Sequence, residues 1–495
     1  MGKFKVLFLY PNGTLMNPPP IAIGIFTALL KKEGFELDLF DTTLYPEEGN
    51  KGSDDAKKQN LQVKPFDYGS RGVHVKKSVM ADDLKEKIKE FSPDLILISI
   101  LECTYGRALS LLDAIDDSIP VLAGGVFPTF APELLLSQKN IDMVCLGEGE
   151  ETVVEVCKRM SRGEDLLDIS NLCLKKDGKI IKNPIKKTVD INSLPIPDYS
   201  LFEWERFCRP MAGRIYKTVP IETNRGCPYA CSFCNSPSTA SLYKDSGCTY
   251  FRTKKIDVLG EELKYLVKKW DAEYVYFTSD NFLVGPERDF DKFIDIYSDI
   301  RLPFWMQSRP ETITEDRIRK LKEVGCHRMS LGLEHGNDEF RKRVLNKRFD
   351  NETMINASKI IADVEIPLTV NNMIGFPEET RELIFDTIEL NRQITADSMN
   401  CSVFAPFHGT SLHKLCVERG YIAEDFILGS INTEAPLNMP QLSRDEIQGI
   451  RRTFVLYIKL DKKYWPLIKK AEKFDAEGDQ ALSELKEIYA RECAS

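Results

Sequence analysis

Short apolar runs alternate with amphipathic segments along most of the chain. Residues 4–10 (Phe-Lys-Val-Leu-Phe-Leu-Tyr) read as a first strand, and residues 21–34 as an amphipathic helix stopped by Gly34. Strands at 35–40, 94–100, 120–125 and 143–146 follow, with helices at 82–91, 105–116 and 150–160. The run 94–100, Asp-Leu-Ile-Leu-Ile-Ser-Ile, is almost continuously apolar, as expected of a strand covered on both faces of a parallel sheet. Residues 46–80 are polar and rich in Gly, Asp and Lys, which predicts a long surface loop. Five strands with crossover connections predict an open, doubly wound α/β sheet of the flavodoxin or Rossmann kind. Ligands of such a sheet lie beyond the carboxyl ends of its strands. Those ends carry Tyr10, Ser99, Gly124-Gly125 with Thr129 just beyond, and Gly147-Glu148. Paired glycines after a strand let a bulky ligand approach the backbone, or simply close a tight turn.

Residues 163–212 contain no long periodic segment. Lys175-Lys176-Asp177-Gly178-Lys179 predicts a hairpin turn and Leu194-Pro195-Ile196-Pro197 a stiff connector, so this stretch is expected to be a linker without chemistry. Alternation then resumes. Strands are predicted at 219–223, 274–278, 304–307, 328–333, 368–374 and 401–404, and helices at 256–270, 289–300, 315–324, 352–364, 379–394 and 412–419. Six βα repeats are two short of an eightfold barrel; the open side admits a large substrate, and the chemistry belongs at the strand C-termini. Residues 439–495 are helical in pattern, opened by a capping box at Ser443 and Glu446. The expected organisation is a doubly wound domain over 1–162, a linker over 163–212, a partial (β/α)6 barrel over 213–438 and a helical C-terminal region over 439–495.

Composition narrows the class. Hydrophobic residues make up 42% of the 495 residues and charged residues 29%, enough for a real core. The 67 Lys and Arg against 76 Asp and Glu leave a net charge of −9, which gives no electrostatic case for gripping nucleic acid. No apolar run reaches the ~18 residues of a membrane span. The opening Met-Gly-Lys-Phe-Lys-Val lacks the parts of a signal peptide, so a cytoplasmic protein is expected. Thirteen cysteines, an odd number, make a poor disulfide framework. Ten are scattered singly and read as small buried hydrophobes.

The other three stand together, directly after the first strand of the second series: Asn224-Arg225-Gly226-Cys227-Pro228-Tyr229-Ala230-Cys231-Ser232-Phe233-Cys234. Thiolates are soft ligands suited to iron–sulfur clusters. Three of them leave the fourth iron of a cubane open to a small molecule. Zinc is the alternative, but structural zinc takes four ligands in pairs, and the nearest further cysteine, Cys248, stands alone.

This segment, with Phe233 before the third cysteine, resembles the defining motif of the radical S-adenosylmethionine (SAM) superfamily. The resemblance implies a [4Fe-4S] cluster on Cys227, Cys231 and Cys234. SAM on the open iron would be cleaved to methionine and a 5′-deoxyadenosyl radical. It also implies SAM contacts near Phe233 and at successive strand ends: Ser279 and Asp280 at the methionine moiety, Arg309 at its carboxylate, Glu334 at the ribose, and Gly375 in a Gly-x-Pro-x-Glu-Thr turn beside the adenine. Taken as bare residues, Ser279 and Asp280 also suit a helix N-cap, and Arg309 a surface salt bridge. His335, His408, Cys401 and Cys416 near the same rim are open to acid–base, ligand or structural roles.

The Tyr-Pro strand end, the Gly-Gly-x-x-Pro-Thr loop and the Gly-Glu-Gly-Glu turn resemble the cobalamin (B12)-binding domain that precedes many radical SAM enzymes. The resemblance implies cobalamin contacts at Tyr10, Ser99, Gly124, Gly125, Thr129, Gly147 and Glu148. The Asp-x-His-x-x-Gly motif of cobalt-ligating domains is missing, and the only histidine before residue 300 is His74. The cobalt would then lack a histidine from this domain. Most such enzymes methylate an unactivated carbon, as class B radical SAM methyltransferases. The implied partners are a small-molecule, lipid or peptide substrate and an electron donor such as flavodoxin or ferredoxin. Two rivals are a radical SAM enzyme that forms rings, oxidises or couples carbons, with B12 in another role or absent, and a cobalamin- or iron–sulfur-binding sensor without turnover.

Overall fold

The structure, a computed structural model, describes residues 3–47, 54–429 and 434–493. Its first sheet holds β1 (Lys5–Tyr10), β2 (Glu36–Asp41), β3 (Leu95–Ser99), β4 (Val121–Gly124), β5 (Met143–Cys145), β6 (Leu172–Lys176) and β7 (Lys179–Lys182). The spatial order is 2-1-3-4-5-6-7. The first five are parallel, as expected of a doubly wound sheet, with the order reversing between β1 and β3. The apolar run at β3 is the middle one of the five parallel strands, buried along all but its last residue.

Two expectations need correction here. The stretch 163–212 is not a bare connector. Asp177 and Gly178 both take positive φ, the geometry of a tight hairpin turn, and the hairpin they close adds β6 and β7 antiparallel to β5. Nor is 46–80 a free surface loop, as far as it lies within the described residues. It leaves the first sheet and crosses to the second. Gln62 is buried and donates from Nε2 to the Cys401 carbonyl at 3.3 Å. Arg71 donates from Nε to the Ile215 carbonyl at 3.3 Å and pairs with Glu273. Its polar residues satisfy the polar groups of an interface.

The second sheet holds β8 (Cys208–Met211), β9 (Arg214–Ile221), β10 (Tyr274–Phe277), β11 (Phe304–Ser308), β12 (Cys326–Glu334), β13 (Leu368–Ile374) and β14 (Ser398–Val403). From β9 to β14 the strands are parallel and in sequence order, a curled half-barrel of six. The helices between them cover the outside, and β8 closes the β9 edge antiparallel. The core under helices Ile21–Lys32 and Glu150–Arg162 runs through Tyr199, Phe202 and Phe207 of the connecting stretch into the barrel core, so both sheets share one apolar interior. The capping box at Ser443 forms, and helix Arg444–Lys459 packs on β14. Seven of the ten scattered cysteines are buried, as small hydrophobes should be.

Candidate functional site

The strand C-termini of the two sheets face one seam. On the barrel side, β9 runs into the cysteine loop. Gly226 takes φ +82°, and the Tyr250 ring lies 2.7 Å from where a Cβ would stand, so only glycine fits the turn. The loop is clamped by its neighbours. Ser232 donates from its backbone N to Leu345 (3.1 Å) and from Oγ to Val344 (2.6 Å), and Asn235 donates to the His408 carbonyl at 2.7 Å. The Ser236 amide donates toward Cys234 Sγ at 3.4 Å, and Arg309 Nη1 lies 3.4 Å from Cys231 Sγ. Burial pushes the Cys227 thiol up, and the Cys234 thiol to about 11, so ionisation there awaits a bound cation. Among the described residues no three His, Cys, Asp or Glu side chains are gathered as they would be around one metal ion. An all-sulfur donor set, spread along a loop and supported by N–H groups, fits a larger iron–sulfur group better than a single zinc.

The next strand ends surround that loop. Ser279 is fully buried and its Oγ has no hydrogen-bond partner among the described residues; the same holds for Asn281 Nδ2. Asp280 opens onto the cleft close enough to feel Cys227 and Cys234, and its surroundings push its carboxyl up. Neither residue caps a helix, because the next one begins only at Glu287, after Pro286. Arg309 is no surface bridge. It is 93% buried, stacks 3.8 Å over Tyr229 and is held by Glu311. Glu334 sits at a bulge in β12 with φ +66° and accepts from the nearly buried Lys347 at 2.9 Å. Gly375 (φ +84°) begins the expected turn, and Phe233 stands 6.3 Å from Phe376 of that turn.

On the first sheet, a cavity of about 270 Å³ runs from the strand ends down between the sheet and its covering helices. Ser99, Gly124, Gly125, Gly147 and Glu148 line it, with apolar walls from Ile23, Phe26 and Leu97. Gly125 has φ +119°, and a Cβ there would stand 2.6 Å from the Ile100 carbonyl oxygen. Next in sequence to the lining residue Gly125 and to Ile100, whose backbone Gly125 approaches, Val126 and Leu101 are 44% and 43% exposed. Apolar side chains left open beside a cavity suit a broad, flat ligand. Among the described residues no histidine lines the cavity. Residues of this kind fit cobalamin, which the glycine turns and the apolar wall would hold.

Comparison with known proteins agrees. Residues 221–390 match the family model of the radical SAM superfamily, and residues 58–157 that of the B12 binding domain. The chain belongs to the radical SAM superfamily and carries a B12-binding domain. Among curated proteins it is 28% identical over 341 residues to an uncharacterized methyltransferase of Pyrococcus horikoshii, covering 68% of this chain and 72% of that protein. It is 24% identical over 380 residues to the anaerobic magnesium-protoporphyrin IX monomethyl ester cyclase of Rubrivivax gelatinosus, covering 74% and 66%. In fold it is similar to the radical SAM methyltransferase TsrM of Kitasatospora setae, solved with cobalamin and a [4Fe-4S] cluster bound, with a TM-score of 0.64, 15% identity, and 99% and 100% of the two chains covered.

In this radical SAM protein three of the expected contacts have structural work instead. Tyr10 does not line the cavity; it lies under Arg206, and burial pushes its phenol up to about 12. Thr129 donates to the Gly125 carbonyl (2.7 Å) and accepts from the Gly147 amide (3.0 Å), tying two glycine turns together. Glu148 lines the cavity but is paired with Arg252 and, at 3.3 Å, with Arg225, which also holds Glu150 (2.6 Å) and Glu222 (3.1 Å). Sequence reasoning missed this joint. Arg225 sits two residues before Cys227, so the network fastens the cysteine loop to the end of β5. Sequence reasoning named the turn that holds Glu379 but not what that carboxylate does: it accepts from the Gly375 and Phe376 amides and faces His335 Nε2 at 3.1 Å; it missed Glu102, which accepts from the His408 amide at 2.9 Å. His335 and His408 are therefore structural posts, and Cys401 and Cys416 are buried. A buried acid leaves no mark in a sequence until its partners are known.

Proposed function

We propose that this chain is a cobalamin-dependent radical SAM methyltransferase acting on an unactivated carbon of a small-molecule, lipid or peptide substrate. The observation that carries the reading is Arg225. It binds the glycine-lined cavity and the three-thiol loop into one joint. Bound at the two places, a [4Fe-4S] cluster supplies the electron that splits SAM to a 5′-deoxyadenosyl radical, and a cobalamin supplies the methyl group.

The protein's part is to hold and to exclude. Cys227, Cys231 and Cys234 bind the cluster. Asp280 and the buried Ser279 hydroxyl receive the SAM ammonium, Glu334 the ribose through its second oxygen, and the Gly375 turn with Phe233 the adenine. Arg309 steadies the loop at Cys231. Ser99, Gly124, Gly125 and Gly147 let cobalamin approach the backbone. The shared apolar interior keeps water from the radical. A soluble carrier such as flavodoxin or ferredoxin delivers the electron. The proposed setting is the cytoplasm, whose reducing conditions suit a thiolate-held cluster and its electron carrier; no described helix is long and apolar enough to cross a membrane.

Anaerobic reconstitution followed by iron and sulfide counts, hydroxocobalamin titration and incubation with SAM and reductant tests the reading. Cobalamin uptake, 5′-deoxyadenosine and, with substrate, S-adenosylhomocysteine are expected. The similarity to a cyclase favours one second reading, radical chemistry without methyl transfer. In that case 5′-deoxyadenosine forms and S-adenosylhomocysteine does not. If no 5′-deoxyadenosine forms, the sensor reading takes over.

A further inference from the structure

The cysteine loop has a second attachment to the first sheet, at its other end, and none of the roles above uses it. Glu102 follows β3 by three residues, is 4% exposed and does not line the cavity. Its Oε2 accepts from the His408 amide at 2.9 Å and its Oε1 from the Leu428 amide at 3.0 Å. The same Oε1 lies 3.0 Å from His408 Nδ1. His408 belongs to the segment that leaves β14. Its ring meets the edge of Phe127, two residues after Gly125, with ring centres 5.3 Å apart. The next residue, Gly409, lies so near Phe130 that a Cβ there would stand 2.3 Å from that ring.

The far side of this segment holds the cysteine loop. Asn235, next after Cys234, donates from Nδ2 to the His408 carbonyl at 2.7 Å, and Ser238 donates from Oγ to the Gly409 carbonyl. The Leu412 amide donates to the Ser232 carbonyl at 3.1 Å. A run of hydrogen bonds thus leads from the end of β3 to Cys234, as Arg225 leads from the end of β5 to Cys227. A body held at one point can pivot about it, and a second point removes the pivot. Apolar packing alone would make the two domains adhere. A buried carboxylate is costly to place, but its bonds are directional, so two amides taken by its two oxygens set a direction and a distance as well as a contact.

We infer that Glu102 and Asn235 are positioning residues for the radical reaction. Acting through His408, they fix the cysteine loop against the strand end that carries the cobalamin cradle, so that the separation of the two cofactors has one value. The inference rests on the cobalamin-dependent radical SAM reading and adds what sets the geometry of transfer. A misplacement of about 1 Å at a reacting centre can cost about a hundredfold in rate, which is what a second fastening prevents.

The test uses the full-length protein, reconstituted anaerobically with iron and sulfide, loaded with hydroxocobalamin and reduced to cob(II)alamin and the paramagnetic cluster. Pulsed electron paramagnetic resonance reads the dipolar coupling between the two. The wild type should show one resolved coupling. Glu102→Gln keeps the side-chain volume but sets an amide group where one of the two backbone donors needs an acceptor. Asn235→Ala cuts the same run from the other end, at a side chain that caps no helix. Both variants should keep the iron, sulfide and cobalamin contents of the wild type and lose the single coupling to a broad distribution. If Glu102→Gln does not fold, Asn235→Ala decides alone. A role in stability only would lower the Tm and leave the coupling sharp, and that result would overturn the inference. So would a broad coupling in the wild type, or loss of one cofactor from Glu102→Gln, since the carboxylate would then hold a cofactor and not a distance. A wild type that fails to load both cofactors sinks the reading beneath. A wild type that loads both, with unchanged coupling in the variants, sinks this inference alone.

Discussion

The two cradles at the seam are built on opposite principles. The one on the first sheet works by shape. Glycines line it, one of them Gly125 with φ +119°, its walls are apolar, and its three acids, Glu148, Glu150 and Glu222, are already paired with arginines. The one on the half-barrel works by donor chemistry: three thiols, an open Asp280, and buried polar atoms at Ser279 and Asn281 with no partner among the described residues. A large, mostly neutral macrocycle is held by area, at about 25 cal/mol per Å² of apolar surface covered. A small charged nucleoside is held by a few strong directional bonds. One seam thus presents a cofactor that is fitted to a cofactor that is ligated.

The sharpest way to break this comparison is to damage each cradle alone. Cys231→Ala should leave the protein without stable iron and without 5′-deoxyadenosine formation, yet still able to take up cobalamin. Gly125→Val should do the reverse. Its Cβ would stand 2.6 Å from the Ile100 carbonyl oxygen in a backbone region that costs ~1–3 kcal/mol for a non-glycine residue. Cobalamin uptake by spectrophotometry should fall by about ten- to a hundredfold, with iron content retained. Loss of both cofactors in either variant would show that the cradles are not separable.

The joint between them is expected to fail as a unit. Arg225→Met takes the shared cation from Glu148, Glu150 and Glu222 and leaves Glu148 with Arg252 alone. Breaking such a buried group from one side costs about 3–5 kcal/mol. The Tm should drop, and cluster and cobalamin retention should drop together. Arg225→Lys should recover little, since a point charge cannot fork between three carboxylates.

The difference in principle also explains what the sequence made legible. Chemistry shows itself in residue type and spacing, so Cys227, Cys231 and Cys234 stood out, and the strand alternation gave six parallel barrel strands in their proper order. Shape shows itself only in pairs of glycines. Gly124, Gly125 and Gly147 stood out and line the cavity, but the cavity walls at Ile23 and Phe26 looked like ordinary helix core. The polar excursion near Gln62 was misread because composition reports what a segment is made of and not what it lies against. Glu148 was credited to the cofactor because its partners, Arg225 and Arg252, lie 77 and 104 residues away.

That same pairing gives the joint an acid limit. Burial alone would raise the Glu148 carboxyl, but the hydrogen bond and charge of Arg252, with the charge of Arg225, outweigh it and hold the carboxyl below its usual range. A depressed folded-state value means that the stabilisation is fully present above the unfolded value of about 4.3 and is lost as pH falls through the folded one. Thermal stability and cobalamin retention should therefore be flat through neutral pH as far as this group is concerned, and decline only below about pH 4. Glu148→Gln should remove that acid step while lowering stability at pH 7. Unchanged acid sensitivity in Glu148→Gln would shift the limit to another group.

The smallest effect discriminates most finely between holding a cofactor and holding the loops around it. Thr129 was expected to touch cobalamin, yet its hydroxyl is spent twice, on the Gly125 carbonyl and the Gly147 amide. Thr129→Val keeps the side-chain shape and removes only the hydroxyl, leaving the Gly147 amide without its acceptor. A buried donor left unpaired costs about 1–3 kcal/mol. If the residue acts on the loops, stability should fall by about that amount in the protein without cobalamin as well as with it, and cobalamin affinity by less than about tenfold. If it acts on the cofactor, the loss should appear only when cobalamin is present. Thermal melts with and without hydroxocobalamin separate the two, and the geometry calls for the first.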